Sequence, residues 1–261
     1  MIDVTITATL RPELFDRTLA GFRDNLFGGS FDKAGCRAVV NIDPVGPEGA
    51  TQADVAELVR GYFSKAEIHM PRQAHFGRAF HRVWSAVSEK ADWVFHLEED
   101  WEMLRPVDLA RMVEILDTEA VGRPDVLTPL ALLRLPMFPS GEIEMKNWNR
   151  CFPWNGRYFE CPMEIRHRVG FCGHPSLIRA RWVRDMTVWL DPDRNPEKQF
   201  QGSNPEIGFK MIFWRYGVFA RPGQPPTIRD MGRDWMKRHD FAKQGPKAFF
   251  TRWTRSEGPH A

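Results

Sequence analysis

The chain has 261 residues, 43% of them hydrophobic, and a formal net charge of +2. That length holds one large domain or two small ones, and the weak net charge singles out no partner. Cys36, Cys151, Cys161 and Cys172 are widely spaced without a C-x-x-C pair, which argues against a zinc site or disulfide framework and for reduced thiols in a cytoplasmic protein. No apolar run reaches membrane-spanning length, and Met1-Ile2-Asp3-Val4 lacks the basic region of a signal peptide.

The first half alternates strand and helix signals. Val4 to Leu10 reads as a strand that stops at Arg11-Pro12, and Leu14, Phe15, Thr18, Leu19, Phe22 and Leu26 then recur at helical spacing. Arg37 to Asp43 is a second strand ended by Pro44 and Gly46. A helix is expected over Ala53 to Phe63, a short strand at Glu67-Ile68-His69-Met70, and a helix through Phe76, Phe80, Val83, Trp84 and Val87. Strands separated by single helices imply βαβ units and a mostly parallel sheet. The fold class is therefore α/β.

The next strand, Asp92-Trp93-Val94-Phe95-His96-Leu97, runs directly into Glu98-Glu99-Asp100. Three adjacent carboxylates repel one another, and burying them unpaired is costly. A hard divalent cation, Mg²⁺ or Mn²⁺, relieves that conflict and keeps positions open for substrate phosphates. The segment reads as a metal–diphosphate site at the carboxyl end of a central strand, where open α/β sheets bind ligands. A solvated strand end is the plain alternative.

Beyond Pro106 a helix carries Leu109, Met112, Val113 and Leu116, and Asp125 to Leu135 is apolar. Periodicity fades from Pro136 to about Arg168, a stretch rich in aromatics that include Trp148 and Trp154. Those two rings suit either a platform for a sugar or base, or packing of the long loop. Order resumes around Val169 to Ile178, and a helix is expected from Pro205 to Tyr216 on Ile207, Met211, Ile212 and Trp214. Residues 1–135 are read as the nucleotide side and 136–261 as the acceptor side of one continuous fold. From Arg229 to Arg255 eight Lys or Arg face three Asp, interleaved with aromatics. Such a segment suits a phosphate-rich partner, although a surface helix is the preferred reading for Lys243 to Arg255. His69, His75, His81 and His96 lack ligand-like spacing and read as solvated or core histidines.

In order, Thr9-Leu10-Arg11-Pro12, Asn41-Ile42-Asp43, Phe95 to Trp101, Gly173-His174-Pro175-Ser176-Leu177, Pro205-Glu206-Ile207-Gly208-Phe209 and Ile228-Arg229-Asp230-Met231-Gly232 resemble the GT-A fold of nucleotide-sugar glycosyltransferases, in particular the family 2-like group. The likeness spans most of the chain by element order and a few short motifs by residue. It implies that Thr9 and Arg11 sit near the nucleotide and that Asp43 faces the base or ribose; an Asx-turn before Pro44 remains the other reading of Asp43. It implies that Glu98-x-Asp100 stands for the family's D-x-D, that Glu98 and Glu99 lie along the donor, and that Asp100 meets the Mn²⁺ or Mg²⁺. Glu206 falls where the family often has a catalytic acid. The late His-x-Gly of many relatives reads Asp230-Met231-Gly232 here, so a metal-binding role passes to Asp230.

Transfer from a nucleoside-diphosphate sugar requires charge stabilisation on the departing diphosphate. Arg229 and Arg233 are candidates for phosphate contacts, and Glu206 and Asp230 for a general base at the acceptor hydroxyl. The acceptor stays open: a saccharide, a protein, or a hydroxymethylated pyrimidine in DNA of the kind some phage enzymes modify, which would place the protein in a host cytoplasm. Two other functions compete. A nucleotidyltransferase would carry a Gly-rich loop after the first strand, which Thr9-Leu10-Arg11-Pro12-Glu13 lacks. A non-enzymatic nucleic-acid-binding module would leave the acidic strand end without a purpose.

Overall fold

In the computed structural model, which describes residues 1–119, 128–138, 152–169, 171–239, 241–244 and 252–255, strand β1 (Ile2–Ala8) is buried along its whole length. Its polar positions are tolerated because they are bonded. Asp3 takes a two-pronged contact from Arg37 at 3.1 and 2.7 Å, and Thr5 Oγ1 lies 3.1 Å from His96 Nδ1. β1 pairs in parallel with β2 (Cys36–Ile42) and β4 (Trp93–Glu98), and β2 pairs in parallel with β3 (Ala66–His69). Helices α1 (Pro12–Asn25), α2 (Gln52–Tyr62) and α3 (Phe76–Ser85) form the crossovers.

The period-2 pattern of the strands divides the core. Val4, Ile6, Ala38 and Val40 pack with Phe15, Leu19, Phe22, Val55 and Val59 of α1 and α2. Val39 and Val94 pack with Phe80, Val83 and Trp84 of α3. Pro12 opens α1 at a position where its missing N–H costs nothing, and Thr51 closes a capping box with Asp54 at the start of α2.

After β4 come β5 (Trp101–Met103), α4 (Leu109–Thr118), β6 (Leu130–Arg134), β7 (Phe159–Glu160), β8 (Ser176–Arg179), β9 (Arg215–Val218) and β10 (Ile228–Asp230). The main sheet has eight strands in the order β3-β2-β1-β4-β8-β6-β9-β7. β8 runs antiparallel between β4 and β6, which keeps β6 and β9 aligned with β1 and β4. Both halves of the chain thus contribute to one sheet. β5 and β10 form a separate antiparallel ribbon that pairs Trp101 with Asp230.

Two expected elements are corrected. The helix from Pro205 ends at Met211 rather than Tyr216, and Tyr216 lies in β9. The strand is anchored by Arg215, which is fully buried and bonded to Glu160 at 2.6 and 2.8 Å, to Glu119 at 2.8 Å and to Tyr158 at 2.7 Å. Burial would lower the Arg215 pKa, but these acids raise it above the ordinary arginine value. In place of a surface helix over Lys243 to Arg255, the described residues Phe241–Gln244 (β11) and Arg252–Arg255 (β12) pair as antiparallel strands. Trp148 and Cys151 lie outside the described residues, while Trp154 packs its ring on Phe159 at 5.3 Å. Among the described residues no helix is long and apolar enough to cross a membrane.

His96 is a core histidine. Its Nδ1 accepts from Trp84 Nε1 at 3.3 Å, and its ring lies among Phe80, Trp84 and Phe171. Burial pushes its pKa down to about 3, against about 6.5 in an unfolded chain. Protons therefore favour the unfolded chain. The His96 contribution to stability is complete above pH ~6.5 and declines toward pH ~3, by about 1.4 kcal/mol per pH unit. Denaturant titrations across that window should show this slope in the native protein and its loss in His96→Phe; equal slopes would exclude His96 as its source.

Candidate active site

The carboxyl ends of β1, β2 and β4 bring Thr7, Asn41 and Glu98 to one level of the sheet. Glu98 ends β4, and Glu99 and Asp100 form the turn into β5. The turn is held from three sides. Thr18 Oγ1 of α1 donates to the Glu99 carbonyl at 2.7 Å. Met231 N–H donates to the Asp100 carbonyl at 2.8 Å, so the ribbon fixes the backbone. Arg11, just ahead of α1, holds the side chains.

Arg11 and Glu99 are nearly sealed, with side chains 2% and 5% exposed. The Arg11 Nη2 group bonds Glu99 Oε1 and reaches Asp100 Oδ2 at 3.1 Å, while its Nε donates to Thr9 Oγ1 at 2.9 Å. Glu99 Oε1 also accepts from the Thr9 backbone N–H at 3.2 Å and its hydroxyl at 2.7 Å. The guanidinium lies 5.1 Å from the centre of the Trp235 ring. Burial would lower the Arg11 pKa, but the charges of Glu99 and Asp100 raise it well above the ordinary arginine value. Like-charge repulsion in the turn is thus relieved first by Arg11.

Two glycines shape what remains. A Cβ built on Gly232 would lie 2.0 Å from Asp100 Oδ2, and one on Gly173 would lie 2.7 Å from Glu98 Oε1 and 3.3 Å from Glu197 Oε1. Only residues without side chains let the backbone approach these carboxylates so closely. Gly232→Ala should therefore push Asp100 out of place and cost about 1–3 kcal/mol. A thermal melt of the variant would register the loss, whereas an unchanged melting temperature would show that the turn yields freely.

Asp230 sits across the ribbon from Trp101. Its Oδ1 accepts from the Gly232 N–H at 2.8 Å, and its Oδ2 lies 3.1 Å from Arg233 Nε. Arg229 pairs with Glu102, and both Arg229 and Arg233 are exposed at the rim. Asp43 is buried, its carboxylate accepting from Asn41 at 2.8 Å and from His75 N–H at 2.9 Å. Burial raises its pKa, and those two bonds partly offset the rise. Glu206 is exposed in the first turn of the helix Pro205–Met211, which Asn204 caps.

Three more residues stand at this edge. Glu197 Oε1 accepts from Gly173 N–H at 2.6 Å, which brings it beside Glu98 from a segment 24 residues further on. The His174 ring packs on Trp101 at 5.1 Å, and burial followed by the Arg134 charge lowers its pKa to about 3, so it is neutral. Arg134, at the end of β6, reaches His174 Nδ1 at 3.5 Å. The motif Gly173-His174-Pro175 carries a faint clue; Arg134 and Glu197 are brought to it only by the fold.

The fold has counterparts among solved structures. The S. aureus TarS 1–349 structure matches with a TM-score of 0.54 at 11% identity, covering 91% of this chain and 63% of that one. The TarS structure in complex with UDP matches at 0.55 and 11% identity, covering 88% and 60%. The fold is GT-A. This chain spans less than two thirds of the TarS chain in either match. No protein-family model matches the chain, and neither does any curated protein.

The GT-A fold brings with it the question of a divalent cation, and the donor set here fits one. Asp100 Oδ2, which Arg11 also reaches, and Asp230 Oδ1, which accepts from the Gly232 N–H, both approach Gly232, and the two carboxylates are hard oxygen donors. Mg²⁺ and Mn²⁺ sites commonly use one or two carboxylates plus substrate phosphates. Among the described residues no group of three or more His, Cys, Asp or Glu gathers closely enough to hold an ion alone. Glu99 Oε1 is already taken by Thr9 and Arg11.

Proposed function

We propose that this chain is a metal-dependent glycosyltransferase that moves a sugar from a nucleoside-diphosphate donor to an acceptor hydroxyl. The observation that carries this reading is the pair Asp100 and Asp230, whose carboxylates both approach Gly232 beside the carboxyl edge of a GT-A sheet. Mg²⁺ or Mn²⁺ held there by the two aspartates would supply Lewis-acid stabilisation of the departing diphosphate. Asp43 and Thr9 flank the nucleotide end, and Arg11 keeps Glu99 and Asp100 in place. Exposed Arg229 and Arg233 add phosphate contacts at the rim. Residues 1–135 serve the donor, joined there by Arg229, Asp230 and Arg233, and the rest of 136–261 serves the acceptor. Glu206 and Asp230 are joined by Glu197 as candidate bases for the acceptor hydroxyl, since Glu197 lies beside Glu98.

The acceptor is a saccharide or a hydroxymethylated pyrimidine in DNA, the second favoured only by the basic run from Arg229 to Arg255. A screen of sugar nucleotides with Mn²⁺ tests the donor: slow donor hydrolysis that stops on chelation is the expected result. No hydrolysis and no calorimetric binding of any nucleoside diphosphate would overturn the reading. Binding to duplex DNA that weakens steeply with salt would support the nucleic-acid acceptor; absence of binding would leave the saccharide.

A further inference from the structure

A groove of about 570 Å³ lies along α3, lined by His69, Arg78, His81, Arg82, Ser85 and Asp193 among others. Its wall follows from helical geometry. Residues 78, 81, 82 and 85 are spaced i, i+3, i+4 and i+7 and share one face, whereas Ala79, Phe80, Val83 and Trp84 are the buried positions of the same helix. The cationic face is therefore not needed to bury α3. Its groups are already oriented. Arg78 Nε donates to Asp193 Oδ1 at 2.6 Å, and its two terminal nitrogens have no partner among the described residues. Ser85 Oγ lies 3.2 Å from His81 Nδ1, which leaves Nε2 as the ring nitrogen open to a ligand. Arg82 is tied to Asn41 Oδ1, and His69 stands at the end of β3.

Two guanidinium groups and two imidazoles line this groove with one carboxylate, Asp193, and a second, Glu67, stands behind His69 with its Oε1 3.1 Å from Nε2. None of Thr9, Asp43, Glu98, Glu99, Asp100 or Asp230 lines it. We propose that the groove binds a phosphoryl group, separate from the diphosphate at the acidic turn. A planar fork beside an imidazole donor matches phosphate oxygens in shape and charge. The phosphoryl group arrives either as free phosphate or as the ester of a phosphorylated sugar. The inference does not depend on the transfer reaction.

Side-chain NMR of ¹³C-labelled histidine tests it at constant ionic strength in chloride, with His69→Gln and His81→Gln identifying the two rings. Titration with inorganic phosphate, and separately with glucose 1-phosphate, should move the His69 and His81 signals to saturation. Arg78→Gln should weaken that binding about tenfold, the scale of one charge-assisted hydrogen bond. Arg78 is exposed, so the variant is expected to melt as the native protein does. Tighter binding of the ester assigns the site to a phosphorylated sugar, and equal binding assigns it to the free anion; both support the site. Rings that stay unmoved in both titrations, or an affinity unchanged by Arg78→Gln, would overturn it.

Discussion

Asp100→Ala is expected to reduce turnover by roughly 10²–10³-fold, the scale of removing one preorganised group from a charge-stabilising site. The same change should weaken the dependence on Mn²⁺. Asp100 is the acid of the turn whose second oxygen meets Gly232 on the side of Asp230, and its side chain is 14% exposed, so a ligand can reach it. Stability should change little, because Arg11 retains Glu99 as its partner. Asp100→Asn keeps the size of the side chain beside Gly232 and removes the charge, which separates packing from ligation. Initial rates against Mn²⁺ concentration for both variants, with melting curves as a control, decide the matter. Native rates with native Mn²⁺ dependence in Asp100→Ala would remove Asp100 as the cation's ligand and with it the site proposed here.

Arg11→Met should have the largest effect on stability. The substitution leaves Glu99 buried without its guanidinium and removes the Arg11 charge from beside Asp100. Breaking a buried pair from one side typically costs about 3–5 kcal/mol. Chemical denaturation measures the loss directly. Arg11→Met combined with Glu99→Gln should recover part of it, because the second change removes the stranded charge; the difference from additivity gives the coupling. A loss under ~1 kcal/mol in the single variant would show that water reaches Glu99 and that Arg11 is not its essential partner. Because Arg11 also touches Asp100, reduced donor affinity should accompany the reduced stability.

These two expectations divide the acidic turn into two jobs that its residue types could not distinguish. Glu98, Glu99 and Asp100 are three adjacent carboxylates, and their repulsion alone suggests a cation for all of them. Folding gives Glu99 to a guanidinium contributed from 88 residues earlier. Glu98 is turned to Gly173 and Glu197, and Asp100 to Gly232. The helical period through Ile207 and Met211 was legible in the same local way, and those residues are buried in the helix expected of them. Its extension to Tyr216 was not. Arg215 belongs to a strand because Glu119 and Glu160, both distant in sequence, complete its bonds there.

What the amino-acid order determined by itself was the set of interactions that close within a few residues. Alternating apolar strands, the Pro12 and Thr51 helix starts and an acidic segment after an apolar strand all arise from neighbours, and together they specify an α/β sheet with a charged carboxyl edge. Only the tertiary structure decided which of those charges are paired inside the protein. That choice depends on groups brought together across 90 or more residues, as Thr9 is with Glu99. It also depends on glycines whose missing side chains matter only when another backbone lies against them. Long-range pairing has no period along the chain, so Glu197, Arg134 and the Arg11 clamp emerge only when the sheet is assembled.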